Sequence, residues 1–279
     1  MKTVVVTDQI EPTLAHPVSQ LVTQSQFEEP AYQRWCAEMR ESPRFHRKQW
    51  EFVYILQVLR EHDLLRKGIR GLGFGVGAEP LPAVMAKYGC SVLATEINIE
   101  QAHEQGWVKN QTRESQLTLL NNRGICDADT FRKLVSYKDV DMNFIPDTLR
   151  DFDFVWSCCS LEHLGSLEHS IAFIVKSLEC LKPGGAAIHT TEYNASSNLF
   201  TVKKASTVFF RKRDVIGLCN VLVNDGHEVA LNLHKGSGKL DHYYDWPPYR
   251  EDKHLKLLVS KQWTLLVATS LGLVIKKKL

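Results

Sequence analysis

The sequence predicts an α/β fold built on a doubly wound, mainly parallel sheet of seven strands with helices on both faces. The first observation behind this prediction is that β-rich runs alternate with helical stretches through most of the 279 residues. Parallel strands need such helices, because a crossover must carry the chain back to the same edge of the sheet. The second observation is a glycine-rich turn at residues 71–77, which lies between a β-rich run and a helical one. A strand, a glycine turn and a helix in this order are typical of the first unit of such a sheet.

Seven runs rich in β-branched and aromatic residues are the predicted strands. A helical pattern resumes at residues 99–108, and apolar residues spaced by three and four between 171 and 181 predict the buried face of another helix. The predicted strands lie at residues 68–74, 91–97, 137–141, 152–158, 186–191, 228–233 and 264–275.

The chain ahead of the first strand has a different character. Residues 1–30 contain three prolines and predict an irregular or partly helical lead-in. Residues 31–62 carry apolar residues at helical spacing, interrupted at Ser42 and Pro43, which predicts two helices. We therefore divide the chain into an N-terminal lead-in and helical cap, residues 1–62, and a main domain, residues 63–279.

Composition excludes several classes of function. The 34 basic and 32 acidic residues give a net charge of +2, which is too small for the broad cationic surface that binds a nucleic-acid backbone. The sequence also lacks the run of about 18 apolar residues that a membrane span requires. Small or neutral substrates are therefore favoured, and neither nucleic acid nor a membrane span is expected.

The number and spacing of the cysteines predict the cellular compartment of the protein. The seven cysteines form no C-x-x-C pair and mostly lie inside apolar runs, so we interpret them as reduced, buried thiols. The adjacent Cys158 and Cys159 lack the spacing of metal ligands and are interpreted as small core side chains. The first residues do not resemble a secretory signal. A cytoplasmic protein is expected.

The glycine turn indicates a bound ligand, because glycine accepts a positive φ and allows a ligand to approach the backbone closely. By itself the pattern leaves the ligand open, since residues 73–78 also fit the dinucleotide fingerprint G-x-G-x-x-G/A. Glu96 follows about 20 residues later, at the end of the second predicted strand. From there a carboxylate can accept hydrogen bonds from both hydroxyl groups of a ribose.

These motifs resemble the class I S-adenosylmethionine-dependent methyltransferases, a family with a Rossmann-like fold. Gly73, Gly75 and Gly77 match the family's G-x-G-x-G turn, and Glu96 matches its ribose-binding acid. The chain departs from the family at Gly71, where an acidic residue is common.

Three later segments extend the resemblance, which is good over roughly residues 65–195. Residues 140–146 resemble the family's acidic segment, which implies that Asp141 meets the adenine amino group and Met142 the adenine ring. Residues 152–164 resemble its fourth strand with the following Leu-Glu-His, and residues 181–185 resemble the turn before its fifth strand. The resemblance implies S-adenosylmethionine as cofactor and S-adenosylhomocysteine as product, with Phe74 and Ser157 also at the cofactor.

Two residues are candidates for the group that removes a proton from a hydroxyl acceptor. His163 is ranked first, because the unperturbed pKa of histidine lies near neutrality, although it could equally pack beside the cofactor or fix a loop. Glu192 is ranked second and lies at the carboxyl end of the fifth predicted strand, where ligands collect in open α/β sheets. Strand alternation is expected to place Glu192 with Thr190 on one face, and His189 with Thr191 on the other.

Substrate contacts are predicted at Tyr193, His242 and Tyr249. The last two belong to residues 241–249, an aromatic and polar segment expected to form a loop that supplies substrate walls. A metal site formed by Asp241, His242 and Asp245 is the alternative for this segment. We favour acceptor recognition and predict no metal. The polar cluster at residues 46–51 is interpreted as a solvated helix face, with a lid over the cofactor as the alternative.

The predicted function is transfer of a methyl group to a hydroxyl of a small molecule or glycan. The alternatives are an N-methyltransferase acting on a small amine, an NAD(P)-dependent oxidoreductase, and a scaffold that binds cofactor without catalysis. The expected partner is the small-molecule or glycan acceptor, and a homodimer is left open.

Overall fold

The computed structural model describes residues 2–98 and 113–279, so the helical stretch predicted at 99–108 lies outside the described residues. Within them, eleven strands form one sheet. The strands are β1 (Val5–Thr7), β2 (Ser19–Leu21), β3 (Arg70–Phe74), β4 (Ser91–Glu96), β5 (Val135–Asp139), β6 (Phe152–Cys158), β7 (Leu181–Asn194), β8 (Ala230–Asn232), β9 (Tyr244–Asp245), β10 (Lys256–Lys261) and β11 (Thr264–Lys276). The helices are α1 (Pro30–Glu38), α2 (Arg47–Glu61), α3 (Leu81–Lys87), α4 (Arg113–Leu119), α5 (Ala128–Leu134), α6 (Leu167–Ser177) and α7 (Lys212–Asn224).

The strand order confirms the predicted doubly wound α/β fold. The sheet runs β1-β8-β2-β11-β7-β6-β3-β4-β5, and β10 pairs with β11 and β9. The strands from β7 to β5 are parallel to one another, whereas β11 is antiparallel to its neighbours β7, β2 and β10. The sheet is therefore mainly parallel, and the carboxyl ends of β3, β4 and β6 lie at the same edge.

The predicted number of seven strands is approximate, because the described residues form eleven. All seven predicted strands are present, and β1, β2, β9 and β10 are additional. Three of these four have only two or three residues, which is too short for a two-residue hydrophobic period to show. Two of them lie in residues 1–30, expected to be irregular or partly helical, so this segment also contributes to the main sheet.

Helices cover both faces, as predicted. Trp35 of α1, Leu56 of α2 and Val84 of α3 belong to one hydrophobic core. Phe173 of α6 and Leu218 of α7 belong to the other. Successive residues of one strand divide between the two cores, as the pleat requires: Phe154 and Trp156 face the first, and Val155 faces the second.

The two helices predicted before the first strand are α1 and α2, and the break between them includes Ser42 and Pro43. Helix α2 crosses the sheet closely, because a Cβ on Gly272 of β11 would lie 2.3 Å from the ring of Tyr54. Its residues from Val53 to Leu59 are all buried. This packing brings the first turn of α2 to the edge where β6 and β7 meet.

Candidate active site

The glycine turn follows β3 and has the backbone geometry that glycine permits. Gly75 has a φ of 61° and Gly77 a φ of 49°. A Cβ on Gly75 would lie 2.6 Å from the Cβ of Ser160, whereas one on Gly77 would meet no atom within 4 Å. The backbone nitrogen of Val76 donates to the carbonyl of Thr95, 3.1 Å away, and so ties the turn to β4. The turn is therefore fixed on one side and open on the other.

The glycines within β3 have a different role, which is packing. A Cβ on Gly71 would lie 2.2 Å from the ring of Phe154, and one on Gly73 would lie 2.3 Å from the indole of Trp156. Both rings belong to the neighbouring strand β6 and fill the space that a side chain would need. The missing acid at position 71 therefore has a steric cause, since no longer side chain fits there.

Glu96 lies beside the turn at the end of β4, as predicted. Its carboxylate accepts hydrogen bonds from the backbone nitrogens of Gly77 and Ile97, each at 2.9 Å. Burial raises the pKa of Glu96, and these two hydrogen bonds oppose the increase. The acid is thus held next to the turn, and its contact with a ribose stays a prediction.

The segment after β5 also lies against the turn. The sulfur of Met142 lies 3.2 Å from the position that a Cβ on Gly75 would occupy. Asp141 accepts a hydrogen bond from the backbone nitrogen of Asn143 at 2.8 Å, which shapes the loop. Met142 lines a cavity of about 590 Å³ together with Phe144 and Phe173. Adenine binding by Asp141 and Met142 stays a prediction.

A second cavity, of about 310 Å³, lies between the turn, the first half of α2 and the end of β6. Two carboxyl groups and two thiols of its lining, described below, were not assigned to the site from the sequence. The lining consists of Lys48, Glu51, Phe52, Gly75, Val76, Gly77, Ala78, Glu79, Pro80, Arg123, Cys158 and Cys159.

Glu79 is a buried acid in this cavity. One of its carboxylate oxygens accepts a hydrogen bond from the indole nitrogen of Trp156 at 2.6 Å. Burial raises the pKa of Glu79 well above its ordinary value, and the charges of Glu96 and Glu51 add to the increase. Among the described residues no basic side chain forms an ion pair with Glu79. The cavity thus contains a carboxyl group that lacks a compensating cation.

The first turn of α2 brings a network of charges against β7. Arg47 donates to Glu192 at 2.8 Å, and Lys48 donates to the same oxygen at 2.9 Å. Lys48 also lies 3.3 Å from Glu51, which accepts a hydrogen bond from Thr190 at 2.9 Å. Burial alone would raise the pKa of Glu192, but the positive charges of Arg47 and Lys48 lower it to about 2.

The prediction that the polar residues at 46–51 form a solvated helix face is wrong for Arg47 and Glu51, which are buried.

The two adjacent cysteines line the same cavity and are only partly buried. Cys158 packs against the first hydrophobic core, as interpreted from the sequence, whereas Cys159 belongs to none of the described cores. Cys159 has a φ of 49° and contacts Lys48 through its sulfur. One ligand atom each of Cys159, Glu162 and Glu192 lies within 4.8 Å of the other two. Within the described residues, this is the one cluster of His, Cys, Asp and Glu close enough to share a metal ion.

The alternative metal ligands at residues 241–245 instead stabilise loops. Asp241 accepts hydrogen bonds from the backbone nitrogens of Gln24 and Gly238, at 2.9 and 3.0 Å. Asp245 accepts one from the backbone nitrogen of Arg250 at 2.7 Å. Backbone donors therefore use both oxygens of Asp241 and one oxygen of Asp245.

Strand alternation separates the predicted site residues on β6 and β7 as expected. Thr190 and Glu192 face α2, whereas His189 bonds to Ser157 and Thr191 bonds to Glu162. The side chain of Ser157 lies 2.8 Å from His189, so it points away from the cavity. Any contact of Ser157 with a cofactor would be through its backbone.

Two other predicted residues pack on the face that carries α6 and α7. Phe74 packs edge-on against Phe173, with 5.2 Å between ring centroids. Tyr193 is buried in the same core, and burial raises its pKa to about 12. Neither side chain lines the cavity beside the turn.

The remaining predicted residues lie around the site. A ring nitrogen of His163 is 2.6 Å from the carbonyl of Ser206, and His163 is not among the residues that line the cavity. His242 is exposed at the end of a short 3₁₀ helix, Lys239–His242.

Tyr249 connects the aromatic segment to α2. Its ring meets that of His254 edge-on at 5.7 Å between centroids, and His254 stacks on His46 at 4.3 Å. His46 precedes the first turn of α2, so this row of rings places the aromatic segment beside the charged cluster. The roles of His163, Glu192, Tyr193, His242 and Tyr249 stay predictions.

Comparison with known proteins finds similarity in structure but not in sequence. No protein-family model matches the chain, and no curated protein matches it. The structure of magnesium protoporphyrin IX methyltransferase from Synechocystis PCC 6803, with bound S-adenosylhomocysteine, is similar over 91% of this chain and 98% of that protein, at 12% identity and a TM-score of 0.46.

Two further solved structures are similar. A methyltransferase from Methanosarcina mazei, described as dependent on S-adenosylmethionine, matches over 79% of this chain and 97% of its own, at 14% identity and a TM-score of 0.45. One from Mesorhizobium loti matches over 49% of this chain at 20% identity and a TM-score of 0.34. This match spans 52% of the Mesorhizobium protein, about half of its length. Similarity at this level concerns the fold and not the acceptor.

Proposed function

We propose that the protein is a methyltransferase that uses S-adenosylmethionine and methylates a hydroxyl of a small molecule or glycan. The observation that carries the proposal is the uncompensated acid Glu79 in the cavity beside the glycine turn. S-Adenosylmethionine carries positive charge at its sulfonium and its amino group and supplies an activated methyl group. A cationic ligand in this cavity would stabilise the charged form of Glu79, which burial disfavours.

The same cavity disfavours a dinucleotide, whose pyrophosphate is anionic. Three carboxyl groups lie around the turn, those of Glu51, Glu79 and the nearby Glu96, and they offer no donor to an anionic ligand. A pyrophosphate also needs backbone N–H donors at the start of the following helix. Helix α3 offers few, because it has only seven residues and prolines at positions 80 and 82. The helix after the turn therefore gives little support to the oxidoreductase alternative.

We further propose that the helical cap, residues 1–62, closes the cofactor pocket. Lys48, Glu51 and Phe52 of α2 line the cavity opposite the glycine turn, which supports this role. The row of rings from His46 to Tyr249 extends this wall toward the aromatic segment. Acceptor recognition by His242 and Tyr249 is proposed on this basis, and Tyr193 is a weaker candidate because it is buried on the other face.

For the proton acceptor we keep His163 ahead of Glu192. When the ring nitrogen of neutral His163 next to Ser206 carries the proton, the lone pair lies on the other ring nitrogen, which is the form that a general base needs. Glu192 is held in two ion pairs and is a weak base, so we assign it a positioning role toward Arg47 and Lys48. The free thiols of all seven cysteines are compatible with the cytoplasm, where we place the protein.

Isothermal titration calorimetry with S-adenosylhomocysteine and with NAD tests the proposal. We expect S-adenosylhomocysteine to bind and NAD to bind at least 10-fold more weakly, about 1.4 kcal/mol. Transfer of labelled methyl groups to panels of hydroxyl and amine acceptors then distinguishes O- from N-methylation. Tighter binding of NAD would overturn the proposal, and cofactor binding without transfer to any acceptor would favour the scaffold alternative.

A further inference from the structure

We propose that Cys159, Glu162 and Glu192 form a binding site for a divalent metal ion of the zinc type. The three residues come from different elements: Cys159 follows β6, Glu162 lies in the 3₁₀ helix Leu161–His163, and Glu192 lies in β7. One ligand atom of each lies within 4.8 Å of the others. Zinc bonds of about 2.0–2.3 Å in tetrahedral geometry require ligand atoms roughly 3.5 Å apart, so only small side-chain adjustments are needed.

Two carboxylate oxygens of this cluster lack hydrogen-bond partners. Glu162 is 0% exposed and Glu192 is 6% exposed. In the part of the chain that the structure describes, neither Oε1 of Glu162 nor Oε2 of Glu192 has a hydrogen-bond partner. Buried polar atoms are almost always satisfied, and leaving a carboxylate oxygen without a partner costs free energy. A metal ion between these side chains would satisfy both.

The other oxygen of each carboxylate is already fixed. Oε2 of Glu162 accepts a hydrogen bond from Thr191 at 3.2 Å, and Oε1 of Glu192 accepts from Arg47 at 2.8 Å. Hydrogen bonds of this kind orient ligands in metal sites. The arrangement therefore contains both the ligands and the groups that hold them.

The donor atoms select the type of metal. A thiolate together with two carboxylates suits a borderline-soft ion such as Zn²⁺, whereas Mg²⁺ prefers oxygen ligands only. Three protein ligands leave a fourth position for water or substrate, as in catalytic zinc sites. Because Cys159 also lines the cavity beside the glycine turn, that position is near the proposed cofactor site.

Lys48 competes with a metal ion for this site. Its ammonium contacts the sulfur of Cys159 and donates to Glu192 at 2.9 Å, so a cation is already accommodated here. The side chain is 35% exposed and lines the cavity, which gives the ammonium a path into solvent when a metal binds. Arg47 would remain paired with Glu192.

The role of the metal depends on the proposed function, but its binding does not. In a methyltransferase, a hydroxyl acceptor bound at the fourth position would have its pKa lowered by the ion, which would ease loss of its proton. Binding itself is measured without cofactor or acceptor. Absence of metal binding would therefore leave the methyltransferase proposal standing, and absence of S-adenosylhomocysteine binding would leave the metal site standing.

The test is metal binding by the purified full chain. We expect one Zn²⁺ per chain in competition with a chromophoric chelator, and a sulfur-to-cobalt charge-transfer band when Co²⁺ is used. Cys159→Ser and the isosteric Glu162→Gln should weaken Zn²⁺ binding by at least about 100-fold, since even residues outside the ligand set contribute 10- to 100-fold. The charge-transfer band should disappear in Cys159→Ser.

Cys158→Ser is the matched control, because Cys158 is adjacent and lines the same cavity but is outside the ligand set. It should keep both the band and the affinity. Lys48→Met, which removes the competing ammonium, should bind Zn²⁺ more tightly than the wild type. Circular dichroism checks that each variant is folded. Equal affinities of Cys158→Ser and Cys159→Ser, or no stoichiometric Zn²⁺ in the wild type, would overturn the proposal.

Discussion

The carboxylate of Glu96 accepts a hydrogen bond from the backbone nitrogen of Gly77 at 2.9 Å, which ties the end of β4 to the glycine turn. Gly77 has a positive φ and no atom within 4 Å of its missing Cβ, so the turn is held by Glu96 while its surface stays open. One side chain therefore both positions the turn and presents a carboxylate beside it.

Glu96→Gln should weaken binding of S-adenosylhomocysteine by about 10- to 100-fold. A hydrogen bond to a charged group is worth about 1.5–3 kcal/mol, and glutamine keeps the shape of the side chain but not its charge. Calorimetric titration measures the change. Glu168→Gln, an exposed glutamate in α6, is the control and should bind as the wild type does. Unchanged affinity in Glu96→Gln would remove Glu96 from the cofactor site.

Gly73→Ala should destabilise the protein by about 1–3 kcal/mol, the usual cost of overpacking. The new Cβ would lie 2.3 Å from the indole of Trp156, a fully buried side chain. Urea denaturation measures the free energy of unfolding. Gly217→Ala in α7, where a Cβ meets nothing within 4 Å, is the control and should stabilise by about 0.5–1 kcal/mol. Equal effects of the two substitutions would contradict the packing role of Gly73.

Arg47→Met should lower the free energy of unfolding by about 3 kcal/mol, because it removes one of the two cations next to buried Glu192. Thermal and urea unfolding measure the loss. Arg132→Met breaks an exposed ion pair with Asp129 in α5 and should cost no more than about 1 kcal/mol. The double variant Arg47→Met with Glu192→Gln should be more stable than Arg47→Met alone, and the opposite order would contradict the ion pair.

His189 should make the protein less stable in acid. Burial lowers its pKa to about 3, from an unfolded value of about 6.5. Between these two values the unfolded chain binds a proton that the folded chain does not. The stability contributed by neutral His189 is therefore complete above about pH 6.5 and is lost as the pH falls toward 3, at up to about 1.4 kcal/mol per pH unit.

The measurement is the free energy of unfolding against pH for wild type and His189→Gln. The variant should show a shallower decrease between pH 6.5 and pH 4. His16→Gln removes an exposed histidine and is the matched control. An identical pH dependence in wild type and His189→Gln would contradict the assignment.

The sequence predicted the features of this protein that arise from a local pattern of residues. The glycine turn, Glu96 and the seven predicted β-rich runs all show local patterns, and each predicted run overlaps an observed strand. The steric reason for Gly71 could not be predicted, because it depends on the pairing of β3 with β6 and on the ring of Phe154.

The missed part of the site is assembled from distant residues. Charged residues on a helix are usually solvated, since burial of a charge is costly. Arg47 and Glu51 are buried because Glu192, Thr190 and Ser270, which lie far along the chain, provide their partners. Glu79 gave no signal in the sequence beyond its position two residues after the glycine turn.

The position of β2 between β8 and β11 has a consequence for how the chain folds. The hydroxyl of Ser19 in β2 bonds to the backbone of Val274 in β11, a contact between residues 255 positions apart. Contacts of such long sequence separation form slowly, because the chain loses the conformational entropy of the long loop before the contact stabilises the fold. During synthesis the pairing of β2 with β11 must therefore wait for the last strand, and until then the edges of β2 and β7 that β11 covers are open to aggregation.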